Sequence, residues 1–349
     1  MPHTQTTNAT IYRGARNAIA TCLRVQTDEQ VVLIYDRSTI RIARALERAV
    51  LAQKATPQLF LLEDFVDRPM SGMPHPILQA LQESQVSIFA ARAWPGELSA
   101  RMQLMHIINQ RRIRHGHMVN ISERIMQQGM QADFHLIDKL SQHLLCLLQT
   151  ARNIRVTSPA GTDLRVHLAP HLRWVKTSGI ISPQKWGNLP GGEIFTSPYR
   201  VDGKFVVDGV IGDYLCAKYG ILEKTPLVMT IENSRVHKVT CNNLALQKDF
   251  LTYIQADPNG NRVGEFAIGT NLAVTHLIGE ILQDEKIPGV HIAFGHPYSE
   301  HTGQYWSSRI HIDCVIQQAT IQVDDQVIMQ EGTFQFHKFN FHPAPIIHQ

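Results

Sequence analysis

The sequence lacks the features that mark secreted and membrane proteins. Its five cysteines are widely spaced and form no C-x-x-C pair, so a disulfide framework is not indicated. It contains no run of eighteen apolar residues, and its first twenty residues hold no apolar segment of the kind found in signal peptides. We therefore expect a soluble, cytoplasmic protein with reduced thiols.

A large surplus of charge of one sign is also missing. Lys and Arg number 33 against 30 Asp and Glu, a formal net charge of +3. Such a small surplus does not indicate binding to nucleic acid or to an anionic membrane. The basic stretch "RRIRHG" (Arg111–Gly116) is interpreted as a solvated turn before a strand. We therefore predict neither a nucleic-acid nor a membrane partner.

In the first half of the chain, short apolar strands alternate with amphipathic helices. "VVLIYD" (Val31–Asp36), "QLFLLE" and "VSIFAA" are predicted strands, and the half closes with a helix over Asp133–Ala151. Strands without polar alternation are typical of a parallel sheet covered on both faces. We predict an α/β, Rossmann-like domain with a mostly parallel sheet over residues 1–151. The G-x-G-x-x-G turn is absent, so dinucleotide binding is not indicated.

The second half has a different pattern. Hairpin signals occur in "NIRVTSPAGTDLRVHL", "TPLVMTIENSRVHKVT" and "ATIQVDDQVIMQEG", and helices are expected at "NLALQKDFLTYIQA" and "LAVTHLIGEILQ". Consecutive hairpins with few helices favour an α+β domain whose sheet is antiparallel, either barrel-like or a sandwich. We assign residues 152–349 to this second domain and expect it to hold the functional site.

Four segments of this second domain place acidic or imidazole side chains within apolar stretches. They are "GNLPGGEIFTSP" with Glu193, "VGEFAIGTN" with Glu265, "DEKIPGVHIAFG" with Glu285 and His291, and "RIHIDC" with His311 and Asp313. A buried carboxylate is costly unless it has a partner, so several in one domain are best explained by a shared cation. This set of residues matches the ligands of a divalent metal pair. For each residue alone, a hydrogen-bonded core position or an exposed strand position is an open alternative.

Taken together and in this order, the four segments resemble the thermophilic aminopeptidase family of metallopeptidases, the group of aminopeptidase T, aminopeptidase S and PepS. The similarity extends over roughly Gly161–Gly332 and is greatest to the shorter, leucyl aminopeptidase-like members. The resemblance implies a hydrolase that removes N-terminal, apolar, leucine-type residues from peptides. It also implies two divalent metal ions (Zn, Co or Mn), a metal-activated water and a homodimer.

The resemblance also implies a role for each matched residue. The metal ligands would be Glu193, Glu265, Glu285, His291, His311 and Asp313, with Glu265 bridging the two ions. Glu193 would in addition carry the proton from water to the leaving amine. Tyr298, seven positions after His291, would donate a hydrogen bond to the oxyanion, and Tyr305 is the alternative for that role.

Two other functions fit parts of the same pattern. Ring-cleaving dioxygenases that act on dihydroxypyridines are similar in this region and use one Fe(II), for which His291, His311 and Asp313 would suffice. Three glutamates would then be surplus. A non-catalytic relative on the same fold is the second alternative, against which the complete set of candidate ligands argues.

Overall fold

The computed structural model describes residues 2–343, and the chain divides into two compact units. The first unit comprises residues up to 135 together with 179–191, and the second comprises 136–178 and the chain from 192 onward. The predicted first domain, residues 1–151, includes the whole of helix Phe134–Leu148. In the structure most of this helix belongs to the second unit, because Leu140, Leu144 and Leu148 pack into that unit's apolar core.

The first unit is built on a five-stranded parallel sheet. In spatial order its strands are Thr56–Leu61, Gln30–Tyr35, Val86–Ala90, Arg114–His117 and Gly187–Asn188. Its α-helices are Pro2–Arg16, Ile40–Ala52, His75–Glu83, Leu98–Arg111 and Glu123–Gln127. Residues 31–34 of strand Gln30–Tyr35 are all buried, as expected for a strand covered on both faces. The predicted Rossmann-like α/β architecture is confirmed.

The second unit contains two antiparallel sheets. The larger has eight strands, in the spatial order Arg235–Thr240, Leu227–Glu232, Arg200–Val207, Asp163–His167, Asn153–Thr157, Thr320–Val323, Gln326–Gln330 and Thr333–Phe334. The smaller has five, in the order His311–Val315, Gly289–Gly295, Val263–Gly269, Glu193–Thr196 and Val175–Thr177. Both sheets contribute to one apolar core. The predicted antiparallel α+β architecture is therefore confirmed.

Four α-helices lie between the later strands of this unit. They are Asp213–Tyr219, Leu244–Ile254, Ile281–Asp284 and Ser299–Thr302. Within residues 2–343, no helix combines the length and the apolar composition that crossing a bilayer requires.

The prediction of a helix over "LAVTHLIGEILQ" is wrong, because the only α-helix in this part of the described chain is Ile281–Asp284. The buried carboxylate of Asp284 accepts hydrogen bonds from the backbone N–H groups of Ile278, Gly279 and Glu280. Gly279 also adopts a φ of 75°, in the left-handed region. The carboxylate therefore satisfies donors that a continuous helix would have used itself, and the segment folds as a loop.

Candidate metal centre

One face of the five-stranded antiparallel sheet in the second unit carries the candidate site. The other face of this sheet packs on the apolar core of that unit. Side chains alternate between the two faces of a strand. The residues that face the core are apolar: Ile194, Phe266, Ile268, Val290, Ile292, Phe294, Ile312 and Cys314. The alternate positions hold Glu193, Glu265, His291, His311 and Asp313. The polar residues of four strands thus form one cluster on one side of a single sheet.

The strand register brings these polar side chains together around a small residue. Ala293 pairs with Glu265 on one neighbouring strand and with Asp313 on the other. His291 lies two residues before Ala293 on the same face, and His311 pairs with Gly295. Because the intervening positions are alanine and glycine, the longer acidic and imidazole side chains can converge above them.

Glu285 and Lys286 reach the site from a loop rather than from a strand. The backbone of this loop passes close to Gly269 at Ile287, and Gly269 is the residue that pairs with Glu193 in the sheet. A Cβ on Gly269 would lie 1.9 Å from the carbonyl oxygen of Ile287, so only glycine permits this approach. The approach places both Glu285 and Lys286 beside Glu193.

The two imidazoles lie among the carboxylates. The Nε2 atom of His291 is 3.3 Å from Glu265 Oε1, 3.6 Å from Glu193 Oε2 and 3.9 Å from Asp313 Oδ1. The Nε2 atom of His311 is 3.3 Å from Asp313 Oδ1 and 3.8 Å from Glu265 Oε2. His311 and Asp313 therefore share a face, as their spacing in the strand predicts. The structure brings all six predicted ligand residues into one cluster; their role as ligands stays a prediction.

The orientation of His311 is set by a backbone contact. Its Nδ1 atom lies 3.0 Å from the carbonyl oxygen of His296, so Nδ1 carries the proton and donates it to that carbonyl. Nε2 is then directed at the carboxylates. Metal-binding histidines commonly use their second ring nitrogen in this way, because the hydrogen bond fixes both tautomer and ring orientation.

The electrostatics of the cluster favour the uptake of positive charge. Burial opposes a charged imidazole, but the nearby carboxylates outweigh it and raise the pKa of His291 to about 9 and of His311 to about 10. His311 in turn holds the pKa of Asp313 well below its usual range, despite burial. Burial raises the pKa of Glu285 to about 8, and it also raises the pKa of Glu265. Glu265 and Asp313 thus favour the protonated form of both imidazoles, and Glu193 does so for His291.

The donor atoms fit a divalent cation. Two sets of three residues each offer ligand atoms within 4.8 Å of one another: Glu193, Glu265 and His291, and Glu285, His291 and Asp313. The buried Oε2 atom of Glu193 has no hydrogen-bond partner within the described chain, which is costly for a carboxylate oxygen. A cation beside this oxygen would supply the missing partner. Carboxylate oxygen and imidazole nitrogen together suit Zn, Co, Mn and Fe.

The two tyrosines considered from the sequence have different environments. The ring of Tyr298 lies 4.9 Å from the His311 ring and 5.7 Å from that of Phe195, measured between centroids. Burial, followed by the nearby carboxylates, raises the pKa of Tyr298 well above its usual value, so its hydroxyl keeps its proton. Tyr305 is 88% exposed. Of the two, Tyr298 is the tyrosine whose ring lies beside the cluster.

Sequence reasoning missed two residues that hold Glu193. Its Oε1 atom accepts hydrogen bonds from the Thr177 hydroxyl, at 2.8 Å, and from Lys286 Nζ, at 2.7 Å. Together with His291, these contacts lower the pKa of Glu193 although burial acts against them. In the sequence, Lys286 stands in "DEK" and looks like a solvated charge. Thr177 pairs with Glu193 only through a strand register that the sequence does not reveal.

Comparison with known proteins adds a family match. The model of the thermophilic metalloprotease (M29) family matches residues 121–335, more than half of the chain. This range includes every residue of the cluster. Among curated protein sequences, none matches the chain.

Two solved structures are similar to the whole chain. AmpT from Thermus thermophilus superposes with a TM-score of 0.68 at 17% identity, covering 94% of this chain and 99% of its own. The 2,5-dihydroxypyridine dioxygenase of Pseudomonas putida KT2440 superposes with a TM-score of 0.67 at 17% identity, covering 94% and 97%. At this identity the likeness shows a shared fold, and the choice between chemistries rests on the residues of the cluster.

Proposed function

Because the chain belongs to the thermophilic metalloprotease (M29) family, whose members are metal-dependent hydrolases, we propose that it is an aminopeptidase. It would remove apolar, leucine-type residues from peptides with a free amino terminus, using two divalent ions. The observation that carries this proposal is the position of Glu193 and Glu265, both buried and within 3.6 Å of His291. The similarity of the fold to AmpT supports it.

Each residue of the cluster has a proposed role in peptide hydrolysis. Glu193, Glu265, Glu285, His291, His311 and Asp313 would hold the ions. Bound divalent ions lower the pKa of a coordinated water and polarise a carbonyl group. By analogy with the family, Glu193 would also carry a proton from water to the leaving amine. The surplus of carboxylates also provides counter-charge for the free α-amino group of a substrate.

The dihydroxypyridine dioxygenase chemistry is the second candidate. His291, His311 and Asp313 alone form a set of two histidines and one carboxylate, the set that holds mononuclear Fe(II) in many oxygenases. The fold is shared with such an enzyme. A mononuclear iron site needs only one carboxylate, so Glu193 and Glu265, which are buried beside His291, would have no role in this chemistry. We therefore favour the aminopeptidase.

The deciding experiment removes metal and restores ions one at a time. We expect chelator to abolish hydrolysis of leucyl anilide, and Zn²⁺, Co²⁺ or Mn²⁺ to restore it. An N-acetylated leucyl anilide is the matched control and should not be cleaved, because it has no free amine. Oxygen uptake with 2,5-dihydroxypyridine after Fe(II) addition, without anilide hydrolysis under any ion, would instead assign the chain to the dioxygenases.

Replacing Tyr298 by phenylalanine tests its proposed hydrogen bond to the oxyanion. We expect kcat to fall about 10²–10³-fold, the usual cost of losing one such donor, while KM and metal content stay unchanged. Tyr305→Phe is the matched control, since its side chain is exposed and should leave kcat unaltered. Equal kcat values for Tyr298→Phe and the unchanged chain would remove Tyr298 from the mechanism.

The homodimer implied by the family resemblance stays a proposal. Light scattering on the purified full-length chain would measure the mass in solution. A mass near 39.4 kDa, that of one chain, would contradict it.

A further inference from the structure

The segment that carries Tyr298 is held by an arginine from a distant part of the chain. Tyr298 directly precedes the short helix Ser299–Thr302, and the end of a helix leaves its last carbonyl groups without partners inside the helix. Arg173 donates a hydrogen bond to the carbonyl oxygens of the last three residues, which are Glu300 (from Nη2, 2.9 Å), His301 (from Nε, 2.8 Å) and Thr302 (from the backbone nitrogen, 2.8 Å). One residue thus binds the whole end of this helix.

Arg173 is itself bound to the strand that carries Glu193. Its carbonyl oxygen accepts a hydrogen bond from the hydroxyl of Thr196, at 2.9 Å. Thr196 is buried and is the last residue of strand Glu193–Thr196. Arg173 therefore connects the helix that follows Tyr298 to the sheet on which the polar cluster lies.

Tyr298 depends on this helix because its backbone conformation is unfavourable. Its φ of 50° and ψ of 56° lie in the left-handed region, which residues with a side chain adopt only when the surrounding structure imposes it. The carbonyl oxygen of Tyr298 accepts hydrogen bonds from the backbone N–H groups of His301 and Thr302, both at 2.9 Å. The same helix that Arg173 binds therefore holds Tyr298 in the left-handed conformation.

The backbone of Tyr298 sets the direction of its ring. The ring lies 4.9 Å from the His311 ring and 5.7 Å from that of Phe195, between centroids. A return of Tyr298 to an ordinary φ would turn its Cα–Cβ bond and move the phenol relative to His311. Displacement of a reacting group by about 1 Å can lower a rate by about 10²-fold, so the conformation of this one residue matters for catalysis.

We propose that Arg173 is a positioning residue for Tyr298. By binding the end of helix Ser299–Thr302, it keeps Tyr298 in the left-handed conformation and its phenol beside His311. Arg173 is exposed, and its effect on the reaction passes through Tyr298. This inference rests on the proposed aminopeptidase function and on the role proposed there for Tyr298.

Replacing Arg173 by methionine tests the inference, because methionine keeps an unbranched side chain but has no N–H donor. We expect kcat for leucyl anilide to fall about tenfold, the usual cost of losing hydrogen bonds from a charged group, while KM and bound metal stay unchanged. Arg155→Met is the matched control. It removes another exposed arginine of the second unit, one paired with Asp163, and should leave kcat unaltered.

A double variant separates positioning from a general effect on the fold. Tyr298→Phe already lacks the hydroxyl, so adding Arg173→Met to it should cause no further fall in kcat. Two losses that multiply in the double variant would show that Arg173 acts by another route. That result, or an Arg173→Met chain with unaltered kcat, would overturn the inference and leave the aminopeptidase standing.

Exchange of backbone amide hydrogens, followed by mass spectrometry, tests the same contacts without a substrate. We expect residues 298–303 to exchange at least about tenfold faster in Arg173→Met, and helix Leu244–Ile254 of the same unit to exchange as before. Unaltered exchange over 298–303 would overturn the inference whether or not the chain is an aminopeptidase. If the unchanged chain does not cleave leucyl anilide, the proposed function fails and the exchange result alone decides whether Arg173 holds Tyr298.

Discussion

Replacing Glu265 by alanine is expected to abolish bound metal and peptidase activity together. Glu265 is the carboxylate that faces both imidazoles, with Oε1 3.3 Å from His291 Nε2 and Oε2 3.8 Å from His311 Nε2. Loss of this residue would leave the ions without the ligand proposed to lie between them. We expect kcat/KM for leucyl anilide to fall by about a thousandfold or more, since metal catalysis supplies several kcal/mol of transition-state stabilisation. Metal analysis and anilide hydrolysis on the same preparation measure both effects.

Loss of folding must be separated from loss of metal in this variant. Burial raises the pKa of Glu265, so its ionised form costs stability in the metal-free chain. We therefore expect metal-free Glu265→Ala to melt at about the temperature of the metal-free unchanged chain. Added Zn²⁺ should raise the melting temperature of the unchanged chain only. Glu300→Ala, at a glutamate whose side chain is 61% exposed, is the control. A fully active, metal-replete Glu265→Ala would refute the assignment.

Replacing Glu193 by glutamine is expected to lower kcat by about 10²–10⁴-fold, the usual contribution of a positioned acid–base group. Glutamine has the same shape, and its carbonyl oxygen can still accept the hydrogen bonds of Thr177 and Lys286. What it lacks is the charged, proton-accepting oxygen that faces His291. The chain should therefore remain folded while proton transfer fails. Steady-state kinetics on leucyl anilide measure the effect.

Glu300→Gln makes the same chemical change at an exposed position and should leave kcat unaltered. Metal content is measured alongside, because Glu193 is proposed to bind metal as well. A Glu193→Gln chain that retains both its metal and its full kcat would show that the proton passes through another group. Glu285, which shares Lys286 with Glu193, would then be the next candidate.

The strand pattern could be predicted because it depends on local periodicity. In "HIDCV" the apolar residues Ile312 and Cys314 alternate with His311 and Asp313, and both apolar residues pack into the core of the second unit. The polar residues between them must then share the opposite face. A period of two is a property of the extended backbone, so neighbouring strands need not be known to predict it.

Local pattern failed where a side chain replaced backbone hydrogen bonds. "LAVTHLIGEILQ" has helical periodicity, yet the Asp284 carboxylate binds three backbone N–H groups and holds most of the segment as a loop. Hydrophobic periodicity indicates which residues are buried, but it does not indicate which group accepts the hydrogen bond of a backbone N–H. Only the folded structure identifies Asp284 as that acceptor.

By itself, the sequence determined the parallel and antiparallel halves of the protein and the residue types that its site can use. Only the tertiary structure decided how those residues meet. Strand register sets Ala293 between Glu265 and Asp313, and a glycine at 269 admits the loop that buries Lys286 against Glu193. Register and close backbone approach depend on contacts between residues far apart in the chain. A single sequence contains no local signal of such contacts.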